Sequence, residues 1–339
     1  MRARAWMKGK GTCVLTVSLL LSLLSWPAQR ASANNTTFSG EATVVQATVL
    51  GLPPVVLSDT GALDSTGGAR EASLLDANVP GLLTAEVLHA STVGQGQRSS
   101  SEASVANVTL TVGGNTISAG LLRARATAEC HNGTASVSGS SEIVDLVVNG
   151  QAVVVSGQPN QTISLPVGRV IINEQQSSVS GNTGDITVNA LHVTVDGVAD
   201  VIISSAHADI TCGGPVCPGG DFVTGGGWIT GTPSGERGTF GVAGGIKNGG
   251  LWGHLTYIDH GTNMKVKGTG VTAYTVTGPT TRHIEGTAEI DGRSGSYQVD
   301  VSDNGEPGRK DTFSIMLSNR YSASGLLIGG NIQLHQPCK

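Results

Sequence analysis

The chain has 339 residues, of which 49 are glycine, 13% are charged and 4% are aromatic. The glycines follow no strict three-residue period, which excludes a collagen-like protein, and a mean hydropathy of +0.06 is too high for a disordered chain. Because Gly, Ser, Thr and Val are abundant while strong helix formers are sparse, the composition is typical of an exported all-β protein.

Residues 1–33 have the three parts of a secretory signal peptide. Basic residues come first, an apolar stretch follows, and Ala31-Ser32-Ala33 supply the small residues of a cleavage site. An uncleaved membrane anchor is the weaker alternative, because the apolar stretch of roughly 14 residues is shorter than the ~20 that a spanning helix needs. The sequence therefore predicts cleavage after Ala33. The mature chain is expected to have no transmembrane segment and to be secreted, or held at the cell surface without a recognisable anchor.

The charges of the mature chain are unevenly distributed. Asn34–Val216 carry five arginines, no lysine and 15 acidic residues, whereas Cys217–Lys339 carry ten basic and ten acidic residues. No basic surface is left for a phosphate backbone, so nucleic acid is excluded as an expected partner. A polyvalent cation would suit the acidic half better, although solubility alone is the favoured explanation of its charge.

Four cysteines remain in the mature chain: Cys130, Cys212, Cys217 and Cys338. Export favours disulfides, and four cysteines allow three pairings. The favoured pairing joins Cys130 to Cys212 and Cys217 to Cys338, because each bond then closes a loop within one half of the chain. The alternative, a short Cys212–Cys217 loop, would leave the other two to join the halves.

Aromatic residues divide the mature chain at the same place. Phe38 is the single aromatic residue between Asn34 and Cys217, whereas nine follow Cys217. Such different core chemistry predicts two domains, residues 34–212 and 217–339, joined by a linker at residues 213–216.

Strand–turn–strand patterns fill the first half. Turn residues separate β-branched runs at Gly113-Gly114-Asn115, at Asn149-Gly150 and at Asp196-Gly197. These pairs predict tight hairpins, because a type I′ turn needs a positive φ at both central residues. With a core of Val, Ile, Leu and Ala, this half is predicted to be an acidic, aromatic-poor β-sandwich.

Short strands separated by glycine also fill the second half. Apolar and polar residues alternate at Tyr297–Val301 and at Thr312–Met316, which predicts a β-sandwich or a jelly-roll-like domain. The predicted fold class is therefore all-β, with two antiparallel β-sandwich-like domains in tandem after a cleaved signal peptide.

Two long stretches carry a resemblance to a known family. The first includes FSGEA at residues 38–42, AEVLHASTVG at residues 85–94 and residues 192–212, and the second runs from DFVTGGGWI at residue 221 to GGNIQLH. The first resembles the choice-of-anchor P family of secreted bacterial proteins, and the second resembles the β module that often follows it. The resemblance implies an exported surface or matrix protein and supplies no activity.

The densest group of oxygen ligands lies near the C-terminus. Asp300, Asp303, Glu306 and Asp311 are candidate calcium ligands, because calcium takes six to eight oxygen atoms and this segment is rich in them. The spacing does not fit an EF-hand. The favoured alternative is a hairpin loop whose polar residues only form turns.

A second polar cluster consists of His254, Tyr257, Asp259 and His260. On a strand, the two histidines share one face while Tyr257 and Asp259 share the other, because side chains alternate. This alternation scatters potential ligands, so a surface His–Asp pair is favoured over a catalytic metal site.

Trp228, Trp252, Tyr257 and Tyr297 are candidate carbohydrate ligands, because flat aromatic faces stack on sugar rings. Core packing is the favoured alternative. The sequence has no nucleophile elbow, P-loop, dinucleotide-binding motif or zinc-protease motif.

The sequence thus predicts a non-enzymatic exported protein with a structural or adhesive role at the cell surface or in the extracellular matrix. Its expected partners are copies of itself or cell-wall or matrix polysaccharide. Strand addition by Phe38–Leu50 is one route to assembly, although pairing within its own domain is favoured. The alternative function is a monomeric polysaccharide-binding module that uses calcium at Asp300–Asp311. A hydrolase is a third hypothesis, since the absence of a motif is weak evidence.

Overall fold

Twenty-three β-strands and no helix occur in the computed structural model, which describes residues 35–214, 220–247 and 249–336. The first half contains β1 (Thr37–Phe38), β2 (Glu41–Val49), β3 (Val55–Asp59), β4 (Gly68–Val79), β5 (Leu83–Gln95), β6 (Arg98–Val112), β7 (Asn115–His131), β8 (Thr134–Val144), β9 (Val147–Val148), β10 (Gln151–Ala152), β11 (Gln161–Leu165), β12 (Gly168–Ser180), β13 (Thr183–Val195) and β14 (Ala199–Thr211). The second half contains β15 (Phe222–Ile229), β16 (Gly238–Lys247), β17 (Gly250–Asp259), β18 (Met264–Val276), β19 (Thr281–Ile290), β20 (Arg293–Ser302), β21 (Thr312–Leu317), β22 (Ser322–Leu326) and β23 (Gly329–His335).

The predicted all-β class is confirmed. Within the described ranges, no helix has the length and hydropathy of a membrane span. The predicted signal peptide lies outside the described residues, as do residues 215–216 of the predicted linker.

The first half folds into two seven-stranded antiparallel sheets that pack face to face. The first sheet has the order β11-β12-β13-β14-β2-β3, with β1 beside β14, and the second sheet has the order β10-β9-β7-β6-β5-β4, with β8 beside β7. One cluster of Val, Ile, Leu and Ala fills the space between them, with Phe38 as its aromatic ring. The sandwich predicted from an aromatic-poor sequence is therefore observed.

The three predicted hairpins are confirmed. Gly113-Gly114 joins β6 to β7, Asn149-Gly150 joins β9 to β10, and residues 196–198 join β13 to β14. Asn149 and Gly150 have φ angles of +49° and +79°. This is the left-handed conformation that a type I′ turn requires.

The predicted disulfide between Cys130 and Cys212 is confirmed, with Cα atoms 5.6 Å apart. Cys130 lies near the end of β7 in the second sheet, and Cys212 directly follows β14 in the first sheet. The bond therefore closes one end of the sandwich. The predicted partners Cys217 and Cys338 lie outside the described residues.

The second half is a single nine-stranded sheet, where a sandwich or jelly roll was predicted. Its order is β22-β21-β20-β19-β18-β17-β16-β15-β23, because short hairpins pair each strand with the next and β23 returns to β15. The sheet curls until its two ends meet, since the Ser324 amide donates a 3.0 Å hydrogen bond to the Gly231 carbonyl. We call it the curled sheet. Its core is rich in aromatic side chains, among them Phe240, Tyr257, Tyr297 and Phe313.

The second sheet of the sandwich is covered on its other face by the curled sheet. Val87–Gly94 in β5 and Ser99–Ala106 in β6 are buried without interruption, whereas a sheet with one face in water would alternate. Apolar contacts fill the interface, including those of Phe222 and Ile258 from the curled sheet. Residues 34–339 accordingly group as one compact unit. One hydrophobic core lies on each side of a shared middle sheet.

Charged side chains also join the two halves across this interface. Arg125 donates hydrogen bonds to both carboxylate oxygens of Glu306. Glu142 accepts from Arg309 at 3.1 Å and lies 3.2 Å from Arg123, whose side chain is 6% exposed. Arg125 and Glu142 are mostly buried and would be costly to bury without a partner, so these pairs help to set how the sheets face each other.

Candidate metal centre

Three potential metal ligands meet where the second sheet faces the curled sheet. They are Glu71 on β4, His89 on β5 and His254 on β17. Their ligand atoms all lie within 4.8 Å of one another. Among the described residues, no other three His, Cys, Asp or Glu side chains bring their ligand atoms this close together.

Strand register explains why two of these side chains are neighbours. The turn at residues 80–82 sets an antiparallel register between β4 and β5 that places Ser73 opposite His89. Glu71 precedes Ser73 by two residues and therefore lies on the same face of the sheet. His254 reaches the same point from the facing sheet.

Polar atoms of all three side chains are buried without hydrogen-bond partners. These atoms are Glu71 Oε2, His89 Nε2 and both ring nitrogens of His254. His254 Nδ1 lies 2.8 Å from Glu71 Oε1, but without the alignment of a hydrogen bond. A buried polar atom without a partner costs about 1–3 kcal/mol. Oxygen and nitrogen atoms of all three side chains therefore face one point between the two sheets.

The His89 ring is held in a defined orientation. Ser73 Oγ lies 2.9 Å from His89 Nδ1, which leaves Nε2 as the ring nitrogen for a ligand. The backbone of β16 packs directly on this side chain, because a Cβ atom on Gly241 would lie 3.1 Å from the Cβ and 3.3 Å from the ring atom Cγ of His89. His89 itself is 1% exposed.

The protonation states of two of these side chains suit metal binding. Burial, followed by the nearby His254, lowers the pKa of His89 to about 4, so its imidazole is neutral near pH 7. Burial alone would raise the pKa of Glu71, but the imidazoles of His254 and His89 outweigh it and lower that pKa. A neutral imidazole and a carboxylate are the forms that bind metal ions.

The four acids predicted as calcium ligands are instead occupied by donors of this chain. Asp311 is buried and accepts hydrogen bonds from two backbone amides, while Asp303 accepts a 2.8 Å bond from the Leu334 amide. Glu306 pairs with Arg125, and Asp300 Oδ1 lies 2.7 Å from a histidine nitrogen, His283 Nδ1. In the described residues they do not form a group of close ligand atoms. The loop uses these oxygens to fix its own shape.

The four aromatic residues predicted to stack on sugars do not form an open surface. Tyr257 and Tyr297 are buried in the core of the curled sheet, at 0% and 1% exposure. The Arg237 guanidinium lies 4.3 Å above the Trp228 ring, and Lys247 lies 5.2 Å from the Trp252 ring. A cation of this chain therefore already lies over one face of each tryptophan.

The cluster around His254 is divided between two environments, as strand alternation predicted. His254 and His260 face the second sheet. His260 Nδ1 lies 3.5 Å from Glu86 Oε2 on β5, and its Nε2 lies 2.9 Å from Thr239 Oγ1 on β16 of the curled sheet itself. Burial alone would raise the pKa of Asp259, but hydrogen bonds led by that from Tyr321 lower it. That carboxylate thus belongs to the curled sheet's interior.

Sequence reasoning missed Glu71 and His89. Their signal was the turn at residues 80–82, since any hairpin closed there places residues 73 and 89 opposite each other. That turn predicts only the pairing of β4 with β5 within the second sheet. The approach of His254 depends on how two sheets pack, which no local pattern indicates.

Comparison with family models and with curated proteins finds no match. Among solved structures, the chain is similar to a protein provisionally assigned as AttH from Nitrosomonas europaea, at 6% identity, with 89% of this chain and 93% of that chain covered. The TM-score is 0.20, which carries no argument about fold or function. The resemblance of the sequence to the choice-of-anchor P family stays a prediction.

Proposed function

We propose that the chain is an exported, non-enzymatic protein with a structural or adhesive role, which associates with copies of itself through the edge of its first sheet. The Cys130–Cys212 disulfide supports an oxidising compartment outside the cytoplasm. The packed middle sheet supports a stiff subunit, because both of its faces are covered by other sheets of the same chain.

The single observation that carries the proposal is the edge at β3. This strand is last in the order of the first sheet, so one side of its backbone is not used within that sheet. Leu50, Leu52 and Val56, on the β2–β3 hairpin, are 78%, 47% and 55% exposed. An edge strand beside exposed apolar side chains is a template for pairing with another chain.

The assembly route predicted from the sequence changes accordingly. Strand addition by Phe38–Leu50 needs a free edge, but β2 is hydrogen-bonded to β14 on one side and to β3 on the other. The segment therefore pairs within its own sheet, and the neighbouring β3 is the edge that could accept a second copy.

Sedimentation velocity on residues 34–339, with disulfides intact and at rising concentration, tests this function. We expect concentration-dependent dimers or larger species for the wild type. Val56→Lys should shift the association to at least about tenfold higher concentration, because charge blocks edge pairing. Val179→Lys is the matched control, since Val179 is 51% exposed on β12, and it should associate as the wild type does.

A monomer at every concentration would contradict the self-association, and so would equal weakening by both lysine variants. The alternative would then be the monomeric polysaccharide-binding module. A pocket of about 350 Å³ between the two halves supports that alternative, because it is lined by polar side chains such as Arg98 and Gln333. Gln95, which also lines it, has a buried side-chain nitrogen without a hydrogen-bond partner.

A further inference from the structure

We propose that Glu71, His89 and His254 bind a divalent transition-metal ion, of which Zn²⁺ is the representative, and that this ion fastens the curled sheet to the sandwich. The site goes beyond the proposed self-association and uses none of the residues at the β3 edge.

The donor set decides the class of metal. Two imidazoles and one carboxylate suit Zn²⁺ and the other imidazole-preferring divalent ions. Calcium needs six to eight oxygen atoms, which one carboxylate cannot supply. The unpartnered atoms are the ligand atoms themselves: Glu71 Oε2, His89 Nε2 and the His254 ring nitrogens.

Metal binding requires small movements of these side chains. With a metal–ligand distance of about 2.0–2.1 Å, the ligands of a tetrahedral site lie about 3.3–3.4 Å apart. Glu71 Oε1 and His254 Nδ1, 2.8 Å apart, would separate slightly, whereas ligand atoms as far apart as 4.8 Å would approach each other. Rotation of the partly exposed Glu71 and His254 side chains, at 16% and 18% exposure, can close the difference.

Ser73 acts as a positioning residue. Its hydroxyl lies 2.9 Å from His89 Nδ1 and so directs Nε2 toward the other two ligands. The glycines facing this ring, Gly226 and Gly241, allow the approach of the curled sheet, since a Cβ on Gly241 would press on His89. The ligands come from both halves of the chain, so the bound ion would join them.

The test is isothermal titration of ZnCl₂ into metal-stripped residues 34–339, with CaCl₂ titrated in parallel. We expect saturable binding of a single Zn²⁺ per chain and no comparable calcium binding. Co²⁺ should give the visible absorption bands of a site with nitrogen ligands. Zn²⁺ should also raise the thermal unfolding midpoint, because an ion that binds only the folded state stabilises it.

His254→Gln and Glu71→Gln should each weaken Zn²⁺ binding by at least about 100-fold and remove the thermal shift. His260→Gln is the matched control, because His260 also faces a glutamate across the same interface and is 19% exposed. It should bind Zn²⁺ like the wild type. Circular dichroism establishes that each variant is folded.

Absence of saturable Zn²⁺ binding to the wild type would overturn the proposal, whatever the variants do. Equal losses in His254→Gln and His260→Gln would also overturn it, because the effect would then come from the interface as a whole. Sedimentation of the same samples measures self-association independently. A failure of the zinc site can therefore be told from a failure of the proposed function, since the β3 edge does not involve these residues.

Discussion

Replacement of Arg282 by methionine is expected to lower the free energy of unfolding by about 3–5 kcal/mol, the cost of removing one partner from a buried ion pair. The Arg282 side chain is 1% exposed and donates to both carboxylate oxygens of Asp221. Its third nitrogen donates to the Gly278 and Thr281 carbonyls at 2.8 and 2.7 Å. Methionine fills similar space but leaves these acceptors without a donor.

This ion pair fixes the start of the curled sheet. Asp221 directly precedes β15, and the Tyr274 hydroxyl donates to the same carboxylate. Urea titrations of the wild type and the variant give the difference in free energy. Arg293→Met is the control, because Arg293 is exposed, and it should change stability by less than about 0.5 kcal/mol.

The double variant with Asp221→Asn separates the pair from its surroundings. If the carboxylate and the guanidinium act together, the double variant should lose less than the sum of the two single variants. A loss below about 1 kcal/mol in Arg282→Met would contradict the buried ion pair.

Removing the disulfide by Cys130→Ala with Cys212→Ala is expected to cost about 4–5 kcal/mol, from the loop entropy of a bond that spans 82 residues. The bond joins the two sheets of the sandwich, so its loss should leave the unfolded chain much less constrained. Urea titration of the double alanine variant measures the effect without leaving a free thiol at either position.

Reduced wild-type protein is the second arm of that experiment. It should lose a similar free energy, provided that reduction reaches this bond. A double alanine variant within about 1 kcal/mol of the oxidised wild type would contradict the stabilising role of the bond.

Local features of the fold could be predicted from the sequence, because hairpins depend on a few residues. The Asn149-Gly150 turn needs positive φ angles that few other residue pairs adopt, so its position alone indicated two paired strands. The Cys130–Cys212 bond followed from the division of the chain into halves. Alternation placed His254, on β17, and His260, which directly follows β17, on the same side.

Features that depend on packing between distant strands could not be predicted. Continuous burial of Ser99–Ala106 reflects a third sheet that covers the sandwich. The curled sheet ends with β23 paired to β15, a strand far away in sequence, and no turn residue specifies that pairing. For the same reason, no local pattern indicates that Arg237 lies over Trp228.

The candidate metal centre shows this limit most clearly. Glu71 and His89 are brought together by one hairpin, yet they become a ligand set only when His254 arrives from the facing sheet. The four acids near residue 300 had the stronger pattern in sequence. Backbone amides and Arg125 occupy the oxygens of Asp303, Glu306 and Asp311.

Differential scanning calorimetry of residues 34–339 tests most directly whether the sandwich and the curled sheet form one unit around a shared middle sheet. We expect one transition in which the calorimetric and van't Hoff enthalpies agree, because the apolar and charged contacts across the interface couple the two cores. Two separate transitions, each with the enthalpy of about half the chain, would contradict a single unit.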